Sequence, residues 1–88
     1  MLSEEEIKNE VINFLLEKYN IEAEESCLID YGKRNCRLSI KTKKFDFIPF
    51  FIGKKETERL SFEIMEIQLP QDEELDFCYI VVTHIIPK

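Results

Sequence analysis

Glycine is scarce in this chain. Only Gly32 and Gly53 occur in 88 residues. A phosphate-cradling loop needs several glycines in close order, so the sequence holds no such loop. Histidine occurs once, as His84. It is the one side chain that ordinarily titrates near neutrality, and no triad or zinc set stands at a telling spacing from it. Cysteine is limited to Cys27, Cys36 and Cys78, an odd set with no paired C-x-x-C spacing. These read as small, reduced core residues of a cytoplasmic protein. A Cys3His site would pull Cys27 and Cys36 off the core face of a hairpin, so no metal or cofactor is expected. No serine stands in a nucleophile elbow. Carboxylates are plentiful but lie in charge runs, where solvation explains them. The chain is therefore read as no enzyme, with no catalytic residue.

Long hydrophobic runs are also missing. No stretch approaches the length of a membrane span, and no membrane partner is expected. The N-terminus has no basic segment followed by an apolar one, so no secretion signal is expected. There is no repeat, no low-complexity tract and no flexible linker. Residues 1–88 are expected to form a single domain.

What is present reads as α+β. Ser3-Glu4-Glu5-Glu6 has the form of a capping box, with three acids at the positive end of a helix dipole. Ile7, Val11, Phe14 and Leu15 follow at helical spacing, widened by Ile12, Leu16 and Tyr19. Asn20 suits a left-handed stop. The last strand, Leu75 to Ile86, is rich in β-branched and aromatic residues. Phe77, Tyr79, Val81 and Ile85 share one parity; Cys78, Ile80, Val82 and Ile86 share the other. A strand apolar on both faces needs cover on both.

Between these lie the other expected strands. Cys27 to Tyr31 and Cys36 to Lys43 form a hairpin about a turn at Gly32–Asn35, with Gly32 and Asn35 able to take positive φ. A four-residue turn pairs Tyr31 with Cys36, Ile29 with Leu38 and Cys27 with Ile40. Phe45 to Ile52 reads as a third strand, an edge or bulged one because of Pro49. Gly53 to Arg59 reads as a charged loop or one helical turn. Leu60 to Gln68 is the fourth strand, and Leu69 to Glu74 a loop. The expected architecture is an N-terminal helix packed on a four- or five-stranded antiparallel meander.

Charge is unevenly placed. The formal net charge is −6, which disfavours nucleic acid as a partner of the whole surface. Residues 1–25 hold eight acids and two bases, residues 33–44 six bases and no acids, and residues 60–76 six acids and no bases. Pairing between these regions, such as Arg37 with Asp30, is the plain explanation. A sharper one starts from parity. If Cys36, Leu38, Ile40 and Phe47 face the helix, then Leu28, Ile48 and Phe50 face outward with Arg37 and Lys41. An apolar patch rimmed by cations is a protein-contact surface.

The function expected from this is a small acidic cytoplasmic interaction module of inhibitor or adaptor type. It binds a protein partner or a second copy of itself through an open sheet face, with Leu28, Arg37, Lys41, Ile48 and Phe50 as contacts. The alternatives are nucleic-acid binding through the basic hairpin 33–44, with Tyr31, Phe45, Phe47 or Phe50 stacking on bases, and an acidic mimic of nucleic acid.

Overall fold

The structure is a computed structural model and describes residues 2–88. Helix α1 spans Glu4–Tyr19. Its start is the expected capping box: the Glu6 amide donates to the Ser3 hydroxyl at 3.2 Å, and the Ser3 amide to the Glu6 carboxylate at 3.0 Å. Asn20 ends it in the left-handed region, φ 57°. There the Asn20 amide donates to the Leu16 carbonyl at 2.9 Å and the Ile21 amide to the Leu15 carbonyl at 3.2 Å, satisfying carbonyls the helix would otherwise leave open. Ile7, Val11 and Leu15, each a turn apart, are buried against the sheet.

The strands are β1 Ala23–Ile29, β2 Arg37–Thr42, β3 Gly53–Glu56, β4 Leu60–Gln68 and β5 Cys78–Pro87. They form one antiparallel sheet in the order β1-β2-β5-β4-β3. The helix on a five-stranded antiparallel sheet is the expected architecture, but the strand order is not the sequential one of the expected meander. Neighbours in sequence pair within β1–β2 and within β3–β4–β5. The two runs join through β2 and β5, so the chain crosses to the far edge between Thr42 and Gly53. β5 is central, which is why it is apolar on both parities. Among the described residues no helix is long and apolar enough to cross a membrane.

Three local expectations are corrected. The first concerns the β1–β2 hairpin. Its connection runs from Asp30 to Cys36, with positive φ at Asp30 (56°) and Gly32 (81°) and not at Asn35. The longer loop shifts the pairing by one residue: Leu28 lies opposite Leu38, Ser26 opposite Ile40 and Ile29 opposite Arg37. A one-residue slip exchanges faces. Leu28 turns inward and packs on the core, while Cys27 and Ile29 turn outward and are exposed. Arg37 therefore does not face Asp30.

The second concerns residues 45–52, which form no strand. Phe45, Ile48 and Phe51 point inward at a spacing of three and pack on the core. A Phe51 amide to Ile48 carbonyl bond of 3.2 Å closes a turn with Pro49 second and Phe50, at φ 63°, third. Proline then a positive φ is the pattern of a type II turn. The strand instead follows, at Gly53–Glu56, where a loop was expected. It begins on Gly53 at φ 131°, a conformation that only glycine adopts without strain.

The third is a pair of bulges between β4 and β5. Ile64 faces Val82 and Glu66 faces Val81, so Met65 is an extra residue in β4. Ser61 faces Ile86 and Glu63 faces Thr83, so His84 and Ile85 together oppose Phe62. His84 stands at φ 52°, a position glycine commonly fills in a bulge. Each bulge resets the alternation. Ile85 packs on the core and Ile86 is turned out, the reverse of the strict count.

Candidate functional site

Two surfaces are candidates. The first is the sheet face away from α1. The register brings Arg37, Ser39 and Lys41 of β2 beside Tyr79, Val81 and Thr83 of β5, with Glu63, Glu66 and Gln68 of β4 beyond. This face is largely dressed by its own side chains. Arg37 Nη2 lies 3.8 Å from Glu66 Oε1. Lys41 Nζ stands 4.5 Å from the centroid of Phe77, a cation–π distance, and Phe77 meets Tyr79 edge-on at 5.6 Å. Val81, central on this face, is wholly buried. Arg37 and Lys41 thus lie on the outer face as expected, but each is already engaged. Leu28 and Ile48 belong to the core side. The five residues read as one patch do not form one.

The second surface is the turn Ile48–Phe51 and the residue before it. Phe47 is 89% exposed and Phe50 91% exposed. The base beneath them is fixed. Phe51 is buried, with its ring 4.9 Å from Tyr19 and 5.2 Å from Phe45, both edge-on. Lys55 Nζ donates to the Phe50 carbonyl at 2.6 Å. The turn therefore holds two bare phenyl rings on a packed platform. A bulky side chain at positive φ costs about 1–3 kcal/mol and persists only where its surroundings impose it. Strict parity assigns Phe47 to the inside with Phe45, so Phe47 is absent from the expected protein-contact set and stands only among the stacking candidates of the nucleic-acid alternative. The signal that identifies it is the three-residue spacing of Phe45, Ile48 and Phe51.

An acidic loop adjoins this turn. Lys44 Nζ donates to the Glu73 carbonyl at 2.6 Å, tying residues 43–46 to residues 69–77. The acidic loop turns at Asp72, which accepts from the Glu74 amide through Oδ1 at 3.0 Å and from the Leu75 amide through its carbonyl at 3.2 Å. Leu69 and Leu75 are exposed. An open hollow of about 280 Å3 lies between the two segments, lined by Lys44, Phe45, Ile67, Leu69 and Cys78.

Groups capable of chemistry do not converge. His84 Nδ1 lies 3.0 Å from Glu63 Oε2 and 3.0 Å from Thr83 Oγ1 on an exposed strand end. Burial pushes the Cys36 and Cys78 thiols up, away from the reactive thiolate, while Cys27 is exposed rather than a core residue. Among the described residues no three His, Cys, Asp or Glu side chains come together. Comparison of the chain with protein-family models, with curated proteins and with solved structures finds no match.

Proposed function

We propose that this chain is a protein-interaction module that engages a protein, or a second copy of itself, through the aromatic turn at residues 47–50. One observation carries the reading: Phe47 and Phe50 are about nine-tenths exposed on a backbone that is packed and hydrogen-bonded beneath them. A phenyl ring held bare in water contributes nothing to its own fold, and aromatic anchors dominate protein interfaces. A preformed turn also loses little conformational entropy on docking. The sheet face gives weaker support, because Arg37 and Lys41 are occupied there. The free thiols fit a cytoplasmic setting.

Nucleic-acid binding through residues 33–44 has less behind it. Of the four stacking candidates, Tyr31 packs on the core and donates its hydroxyl to the Leu2 carbonyl and Phe45 is half-buried, which leaves only Phe47 and Phe50 free to stack. Arg37, Lys41 and Lys44 each have a partner within the chain.

Site-specific photo-crosslinking tests the reading. A benzophenone analogue of phenylalanine at position 47 or 50 is expected to form a discrete protein adduct in cells. The same group at Glu58, also an exposed position, gives none. Equal labelling at all three positions would reject the turn as a contact element.

A further inference from the structure

We propose that the loop end of the molecule is self-complementary and pairs two copies of this chain about a twofold axis. The aromatic turn of each copy sits against the acidic loop of the other. This rests on the reading of residues 47–50 as a contact element and names the occupant.

The two loops are joined side by side through the Lys44–Glu73 bond. One carries the exposed cations Lys43 and Lys44 and, past the exposed Asp46, leads into Phe47 and Phe50. The other carries Asp72, Glu73 and Glu74 between the exposed Leu69 and Leu75, with Asp76 next after them. These opposite charges form no ion pair with each other within the chain. The five ion pairs among the described residues all lie elsewhere, and Lys44 meets a carbonyl of the acidic loop rather than a carboxylate. The same region therefore presents cations and anions that form no ion pair, a pair of projecting rings and an apolar-floored hollow.

A twofold interface uses the same patch on both partners, so the patch must complement itself when turned by 180°. A basic aromatic knob alone fails that condition, because two knobs repel. A knob beside both an apolar hollow and an acidic loop meets it. Each Phe47–Phe50 turn then faces a hollow, and each Lys43–Lys44 pair faces carboxylates, twice per dimer. A phosphate-bearing partner suits this end poorly. A membrane or nucleic acid that met the two lysines would also meet the four carboxylates beside them.

Sedimentation equilibrium on the full chain, as a concentration series in low and high salt, tests the proposal. The wild type is expected to dimerise, and less tightly in high salt. Lys43→Glu/Lys44→Glu and Glu73→Lys/Glu74→Lys change only exposed positions, so circular dichroism should show both variants folded. Each alone should lose at least about tenfold in dimer affinity, because like charges then face each other. Their equimolar mixture should recover the dimer, because every reversed pair meets its complement. A wild type that stays monomeric overturns the proposal, as does a dimer indifferent to both variants. If the monomer is crosslinked at position 50 to a different protein, the dimer is lost and the contact reading stands; without any adduct, both fall. Co-sedimentation of a monomer with phosphatidylserine vesicles, or its retardation of a single-stranded oligonucleotide, would assign these loops to phosphate instead.

Discussion

Phe50 and Phe51 are adjacent, chemically identical and opposite in role. Phe51 is 3% exposed and holds the edge-on contacts with Tyr19 and Phe45; Phe50 contacts water. Phe51→Ala is expected to cost about 3–5 kcal/mol, the usual result of emptying a buried phenyl site. Phe50→Gly removes a bare ring and relieves a positive φ, while adding freedom to the unfolded chain. These terms oppose each other at about 1 kcal/mol each, so the urea midpoint should hardly move. A loss comparable to that of Phe51→Ala would make Phe50 a structural residue. Glu6 offers a second measurement at this scale. The Ser3 amide first, and the Arg59 guanidinium 2.7 Å away, hold its carboxyl down at about 2, against 4.5 for the free group. A lowered folded-state value gives stability that is complete above about 4.5 and lost as pH falls towards 2. Between those limits the thermal midpoint of Glu6→Gln is expected to fall less steeply with acid than that of the wild type. Parallel curves would mean that the cap and the Arg59 contact do not persist in solution.

At the scale of elements, what was legible in the sequence depended on local chemistry. Helix α1 declares both its ends, through Ser3 with Glu6 and through Asn20, and its buried stripe repeats without interruption. The strands β4 and β5 declare their existence through composition. Their faces cannot be counted from the sequence, because an alternation of two carries no memory of an inserted residue. Met65 and His84 are such insertions, and beyond each the strict count assigns Ile67 and Ile85 to the wrong side. Residues 45–52 misled for a related reason. Apolar residues on both parities look like a buried strand, whereas the true inward set follows a spacing of three. Of the contact residues read from parity, Phe50 is exposed and Arg37 and Lys41 lie on the outer face, while Leu28 and Ile48 are half-buried against the core. The bulges yield an expectation that runs against the usual harm of a deletion in a strand. Removing Met65 leaves Glu66 opposite Val81 and Ile67 opposite Ile80, with the ladder made regular. That deletion should leave a cooperative fold within about 2 kcal/mol of the wild type. Removing Ser39 from the unbulged β2 exchanges the faces of either Leu38 or Ile40 and should abolish folding. If both deletions unfold the chain by circular dichroism, Met65 is not a removable extra residue.

Across the whole molecule the question is how one helix suffices for a sheet whose central strand is apolar on both sides. Cover comes from two further sources. The crossing segment supplies Phe45, Ile48 and Phe51 to the helix side, extending the core past the end of α1. On the far side the strands shelter themselves, with Arg37 paired to Glu66, Lys41 over Phe77, and Val81 sealed among them. Long charged side chains can do this because their aliphatic stems cover apolar neighbours while their heads stay wet. The barest rings, Phe47 and Phe50, stand at the loop end, while Ile29, Met65 and Ile86 are exposed singly along the strands. This division predicts that two double variants separate stability from recognition. Arg37→Ala/Lys41→Ala removes one exposed ion pair and one cation–π contact, and should lower stability by about 1–2 kcal/mol. It should leave crosslinking at position 50 unchanged. Phe47→Ser/Phe50→Ser should leave the unfolding midpoint near that of the wild type and abolish recognition. A reversal, with binding lost in the first variant and kept in the second, would move the contact surface back to the sheet.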